Sequence, residues 1–358
     1  MTTATASSHR AQREFGSDNT AGTPTAILET VAAAAAGLAA PYGADSWTDA
    51  LTRQLGEVFD HPVDIALVST GTAANAISLA TLTPSWGSVL CHRDSHIHND
   101  ENTAPELFTG GARLTPLDGA DAKIDSDELR AAVDRKSGDL HKAKPATLSI
   151  TQATEAGGVY TPGEIHQLTI IAQNAGLRVH MDGARFANAL VALGCRPAEL
   201  TWQIGVDMLS FGTTKNGTMT AEAIILFDPD LATELGYRTK RAGQLTSKAR
   251  FQAAQLHAYL TDDLWLHNAT HANAMADRLR AGLSAIPTVH QQGNAEANIT
   301  FYHLPQPVID GLLTRGFNFH ANRWGPQVAR FVTSFATTPD DIDALIDTID
   351  QLTGRVHR

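Results

Sequence analysis

A chain of 358 residues exceeds what one hydrophobic core usually supports, and a prior of about 150 residues per domain points to two domains. Its 27 basic and 38 acidic side chains leave a net charge of −11, which argues against a nucleic-acid or anionic-membrane partner, because both demand a basic face. Cys91 and Cys195 are too few for a disulfide framework and stand in no zinc-ligand spacing, so both are expected reduced, as in a cytoplasmic protein with small-molecule ligands.

In chain order, residues 1–14 form a polar arm without the apolar run of a secretory signal, and this arm is expected to be disordered. The alanine-rich stretch Val31–Ala40 contains Gly37 and stops at Pro41; it is too short for the ~20 apolar residues that span a bilayer and reads as an ordinary helix. Asp64–Ser69 is strand-like and leads through Thr70-Gly71-Thr72 into the helical run Ala73–Ala80. Further strand-like runs follow at Ser88–Cys91, Ala146–Ile150, Gly176–Met181 and Val206–Phe211. This alternation predicts an α/β fold with a mostly parallel sheet covered by helices, within a large domain over residues 15–250. After about Arg250 come a long helical stretch, a strand at Asn298–Tyr302, a helix from Pro307, a strand at Val328–Val332 and a closing helix from Pro339. These predict a smaller α+β domain over residues 251–358.

Two of the strands deliver a chemically useful residue at their carboxyl ends, where open α/β sheets bind ligands. Asp182 follows Gly176–Met181, and Lys215 follows Val206–Phe211 through a glycine and two threonines. A pyridoxal 5'-phosphate (PLP) enzyme needs such a pair, a lysine amine to hold the cofactor and a carboxylate to keep its ring nitrogen protonated. Taken singly, an aspartate after a strand is more often a turn former and a lysine in such a turn more often solvated; the combination carries the reading. The turn Ser69–Asn75 adds a phosphate candidate, since a glycine-bearing turn that opens a helix aims backbone N–H groups and a helix dipole at one point. Arg185, three residues after Asp182, can face the same ligand.

The segment Asp94-Ser-His96-Ile-His98-Asn-Asp100, with His180 and Asp182, admits a zinc-dependent hydrolase instead. That alternative leaves the phosphate turn and two arginines, Arg185 and Arg330, without work. A solvent-facing His98 is the plainer reading.

From Phe15–Thr20 to Arg330–Phe335 the chain resembles the threonine aldolase family of fold-type I PLP enzymes. The most specific segments are His180–Arg185 and Ser210–Lys215, with support from Tyr42-Gly43, Ser69–Asn75 and Ser95-His96. The resemblance implies that Lys215 forms the Schiff base, Asp182 pairs with the pyridinium nitrogen, and Gly71, Thr72 and the Ala73 N–H hold the phosphate. It implies that His96 stacks on the cofactor ring, that Arg185 lies near the cofactor's phenolic oxygen, and that Ser17, Arg185 and Arg330 clamp the substrate carboxylate. Lys240 resembles a family lysine near a site built between subunits, usually of a homotetramer. The implied reaction is retro-aldol cleavage of L-threonine or a relative such as phenylserine to glycine and an aldehyde, with β-elimination, transamination and racemisation as neighbouring chemistries. One segment departs from the family, Gln152–Gly158, where Glu155 stands in place of a frequent histidine. A glutamate there could accept the β-hydroxyl proton or hold a water that does.

Overall fold

The computed structural model describes residues 13–136 and 139–356. The arm expected to be disordered lies outside the described residues up to position 12. Arg13 and Glu14 are ordered as strand β1 (Arg13–Glu14), and Phe15 beside it is fully buried. Seven strands then build the main sheet: β2 (Asp64–Val68), β3 (Gly87–His92), β4 (Arg113–Leu117), β5 (Lys144–Thr151), β6 (Arg178–Gly183), β7 (Met208–Phe211) and β8 (Glu222–Leu226). Five more follow, β9 (His290–Gln292), β10 (Ile299–His303), β11 (Phe317–Asn318), β12 (His320–Ala321) and β13 (Val328–Val332).

The large sheet runs β2-β8-β7-β6-β5-β3-β4 and is parallel except where β8 pairs with β2 and β7. It is the mostly parallel, helix-covered sheet expected. β6 and β7 are buried almost throughout, as strands covered by helices on both faces must be. His180 survives inside β6 because each ring nitrogen has a partner, Ser149 Oγ and Ser210 Oγ, both at 2.9 Å. Burial pushes this imidazole down to about 4, so it is neutral. In register, Thr151 pairs with Asp182 and Asp182 with Ser210, so the carboxyl ends of β5, β6 and β7 deliver their following segments side by side. Gly212 makes this possible, since a Cβ there would lie 2.5 Å from the Ala184 Cα.

Phe59, Phe186, Phe211, Tyr259 and Trp265 anchor the core on the large sheet. A second core, around Leu279, Phe317 and Phe331, underlies the antiparallel sheet β12-β13-β10-β9. The helix Leu264–Ser284 contributes Trp265 and Ala269 to the first and Met275 to Leu283 to the second. The two cores therefore meet within this helix, beyond the expected division at 250/251.

Several elements differ from expectation. The alanine-rich helix spans Thr25–Ala34 rather than Val31–Ala40: it starts directly after Pro24 and buries Ile27 and Ala34, while Gly37 takes a φ of 69° that ends any continuation. The long helical stretch after Arg250 is two helices, Arg250–Leu260 and Leu264–Ser284, because Asp262 and Asp263 between them adopt φ of 51° and 54°. Strands β1, β4, β8, β9, β11 and β12 are additions to the expected set.

Candidate active site

Two adjoining cavities open at the carboxyl ends of β5, β6 and β7. The first, about 300 Å³, is bordered by the turn Ser69–Thr72, by Asn75 and Glu101, and by Asp182. The second, about 760 Å³, is bordered by Ser17, Glu155, Arg185, Trp324 and Arg330. His96 and Lys215 line both. Lys215 sits in the short turn Thr214–Asn216, which borders the first cavity.

The helix Gly71–Leu82 begins at Thr70, and its first intrahelical bond runs from the Ala74 N–H to the Thr70 carbonyl at 3.1 Å. The N–H groups of Gly71 and Thr72 precede that bond and border the first cavity, which suits a phosphate. Ala73 differs from expectation: its N–H donates to Thr70 Oγ1 at 3.1 Å, because Thr70 is the N-cap. Gln244 braces the turn, accepting the Ser69 N–H at 3.0 Å.

Asp182 is held at both oxygens. Oδ1 accepts the Ala184 N–H at 3.0 Å and Oδ2 accepts Asn75 Nδ2 at 2.9 Å. Asn75 Nδ2 also donates to Glu101 Oε1 at 2.8 Å, and His96 Nδ1 lies 2.9 Å from the same oxygen. Burial pushes the Glu101 carboxyl up, against the hydrogen bonds from His96 and Asn75. The bond to Glu101 raises the His96 imidazole above its usual range, against burial. From the neighbouring strand, Glu222 is buried against the Lys215 turn and accepts the Thr213 N–H; burial pushes its carboxyl up.

In the second cavity Arg185 is buried and forked onto Asp18, with Nε to Oδ2 at 2.8 Å and Nη2 to Oδ1 at 2.9 Å. Asn298 Nδ2 adds a third bond to Asp18 Oδ2 at 3.1 Å. Burial works to raise the Asp18 carboxyl, but Arg185, with Lys215 behind it, outweighs burial and holds it below the usual range. Arg330 has no such partner among the described residues. Its Nε is sealed from solvent without a hydrogen bond, its guanidinium lies 5.1 Å from the Trp324 ring centroid, and burial, reinforced by Arg185, pushes it down to about 10. Ser17 Oγ accepts the Asn19 N–H at 3.2 Å, which leaves its hydroxyl hydrogen free for the cavity. Glu155 is half-buried on the same wall.

The fold thus brings together Gly71, Thr72, His96, Asp182 and Lys215 around the first cavity, and Ser17, Glu155, Arg185 and Arg330 around the second. Lys240 stays outside both, exposed on the helix Ala232–Arg241 with its ammonium 4.8 Å from the Tyr42 ring centroid. His98 is exposed. The hydrolase alternative needs a free nitrogen on His180, and both are engaged by serines. Sequence reading passed over Asp18, Asn75, Glu101, Glu222 and Gln244. Asp18 lies inside the quoted segment Phe15–Thr20, whereas Glu101 carries no local signal.

A mostly parallel sheet with a glycine turn opening a helix, a fixed carboxylate at one strand end and a lysine at the next defines a fold-type I PLP-dependent enzyme. The profile of the beta-eliminating lyase family matches residues 14–305, and the chain belongs to that family. It is 39% identical over 342 residues to the low specificity L-threonine aldolase of Pseudomonas aeruginosa, covering 96% of this chain and 98% of that one. Identity to the enzyme of the same name from Pseudomonas sp. is also 39%, over 325 residues, covering 91% and 93%. The fold superposes on the threonine aldolase of Leishmania major with a TM-score of 0.88 at 26% identity, covering 95% and 99% of the two chains.

Proposed function

We propose that this chain is a PLP-dependent lyase that cleaves L-threonine and related β-hydroxy-α-amino acids to glycine and an aldehyde. The observation that carries the substrate class is Arg330. A guanidinium with a sealed, unpartnered Nε is an expensive feature unless an anion completes it, and it faces the cavity shared with Lys215. An amino-acid carboxylate supplies that anion.

The residues present fit the cofactor. Gly71 and Thr72 N–H groups hold its phosphate, Asp182 keeps a proton on its ring nitrogen, Lys215 holds it covalently, and His96 borders its ring. PLP, when bound, supplies the sink for the electron pair released as the Cα–Cβ bond breaks. Arg330 and the Ser17 hydroxyl bind the substrate carboxylate, while Arg185, fixed by Asp18, presents its remaining edge to the same cavity. Holding the carboxylate at one end fixes which bond at Cα faces the sink. Glu155 takes the β-hydroxyl proton directly or through water, and Lys215 returns a proton to Cα.

The test is product analysis with L-threonine. Glycine and acetaldehyde in equal amounts are expected; 2-oxobutanoate with ammonia would make the chain a β-eliminating enzyme, and D-allo-threonine, inverted at Cα alone, a racemase. Arg330→Ala is expected to lower kcat/KM by roughly 100-fold, mainly through KM, as the loss of a charge-assisted fork would. Arg330→Lys should restore little, since an ammonium cannot reproduce the fork. An unchanged KM in both variants removes Arg330 from the clamp. Glu155→Gln is expected to slow threonine cleavage by about 100-fold while sparing exchange of the glycine α-proton with solvent, which involves no β-hydroxyl. Equal loss of both activities, or loss of neither, would remove the proton-acceptor role.

The same reading includes a homotetramer in the cytoplasm. Leu28, Leu38 and Tyr42, apolar side chains of the N-terminal segment, are 47%, 105% and 51% exposed, and a second copy would cover them. In that assembly Lys240 and Tyr42 would border a neighbouring subunit's cavity. Among the described residues no helix is long and apolar enough to cross a membrane. Sedimentation equilibrium tests the assembly, and a monomer at micromolar concentration would exclude it.

A further inference from the structure

The carboxylate of Glu101 is the buried charge in this site that carbon–carbon cleavage does not call for. Its side chain has no solvent exposure, and Oε2 is buried without a partner. Keeping an anion there with one oxygen unused is unfavourable, and an apolar or amide side chain would pack at lower cost. What distinguishes the position is its connections. Asn75 Nδ2 has two hydrogens, and they are divided between Asp182 Oδ2 at 2.9 Å and Glu101 Oε1 at 2.8 Å. This fixes the amide, because the flipped orientation would set its carbonyl oxygen against two acceptors. Oε1 also meets His96 Nδ1 at 2.9 Å, and as a carboxylate oxygen it can only accept. His96 must then carry its hydrogen on Nδ1, which leaves the lone pair of the neutral ring on Nε2.

We propose that Glu101 is a positioning residue that ties the orientation of Asp182, through Asn75, to the tautomer and charge of His96. The use to which His96 is put rests on the aldolase reading; the linkage itself does not. Several charged groups border the two cavities with this imidazole. Asp94, Asp100 and Glu101 belong to its own segment, with Asp100 paired to Arg323; Asp182 comes from the end of β6, Glu155 from the turn after β5, and Lys215 from the turn after β7. Among the influences that raise the imidazole, the hydrogen bond to Glu101 is the largest, ahead of Asp182 and Glu155.

The experiment is an NMR titration of the His96 ring in cofactor-free protein, comparing the native chain with Glu101→Gln. Glutamine keeps an acceptor oxygen and the side-chain shape but removes the charge, so the His96 midpoint is expected to fall by roughly one unit or more. Asn75→Ala, which cuts the bridge to Asp182 and leaves the Glu101–His96 contact, is the second variant and is expected to leave the midpoint raised. In PLP-loaded enzyme both variants should lower kcat for threonine by about 10-fold with KM little changed, because the carboxylate clamp is untouched. A midpoint in Glu101→Gln indistinguishable from native overturns the proposal. So does an unchanged kcat in Asn75→Ala, which would leave the bridge to Asp182 without effect. If the native enzyme releases no glycine from threonine, the aldolase reading fails, and the midpoint still decides the linkage.

Discussion

Replacing Lys215 with alanine is expected to leave a folded protein that binds PLP without a covalent link and releases glycine from threonine at least about 10,000-fold more slowly. The fold should survive because the turn does not depend on the lysine side chain. Asn216 Nδ2 ties it to Tyr259 Oη at 2.7 Å and to the Trp265 carbonyl at 2.8 Å, and Glu222 accepts the Thr213 N–H. Cofactor binding should survive in part, since the phosphate turn and Asp182 are unchanged. No other lysine among the described residues lines either cavity, so within one chain no second amine can take over. Glu222, already pushed up by burial, also loses the nearby cation that opposes the shift and should take up a proton more readily. Borohydride treatment followed by denaturation should leave the cofactor on the native protein and release it from the variant. Near-normal turnover, or cofactor retained by the reduced variant, would remove Lys215 from its role.

The parts of this site that could be read from sequence are those with a local signature. Asp182 and Lys215 each end a short strand, and Ser69–Asn75 is a glycine turn opening a helix, so a few consecutive residues announce each one. The ion pair of Asp18 with Arg185 joins positions 167 residues apart, and Asn75 meets Asp182 across 107. Such pairings exist only after the sheet has assembled, and nothing in the neighbouring residues marks them. Ala73 shows a subtler effect: the N-cap threonine that makes the turn recognisable also accepts that N–H. Two of the unforeseen strands, both in the large sheet, have comparable causes. β8 follows β7 too closely for a crossover helix, so it returns antiparallel and escapes the alternation. β4 is an edge strand interrupted by Pro116, the position where a sheet tolerates proline and a sequence pattern does not reveal a strand. The alanine run signalled a helix without fixing its frame, which Pro24 and Gly37 determine.

Asp182→Asn is expected to slow threonine cleavage by roughly 100- to 1,000-fold while weakening PLP binding much less. The native carboxylate does two things. It accepts hydrogen bonds at both oxygens, from the Ala184 N–H and from Asn75 Nδ2, and it offers the negative charge that keeps a proton on the cofactor's ring nitrogen. Asparagine is isosteric, so packing at a position only 4% exposed is preserved. Its amide can match one of the two donors but not both. If the carbonyl stays with Ala184, the new NH2 group faces the NH2 of Asn75, and a donor without an acceptor in a buried site costs on the order of 1–3 kcal/mol. Asn75 can escape by turning over, which gives its unpartnered Oδ1 an acceptor's role but withdraws its hydrogen from Glu101. Either way the charge is gone, the ring nitrogen loses its proton at neutral pH, and the sink for the released electron pair weakens. The phosphate turn and Lys215 are untouched, so cofactor occupancy should stay near native. Single-turnover rates and PLP occupancy measured on the same preparation separate the two effects. An unchanged rate with strongly reduced occupancy would make Asp182 a structural residue rather than the group that holds the ring proton.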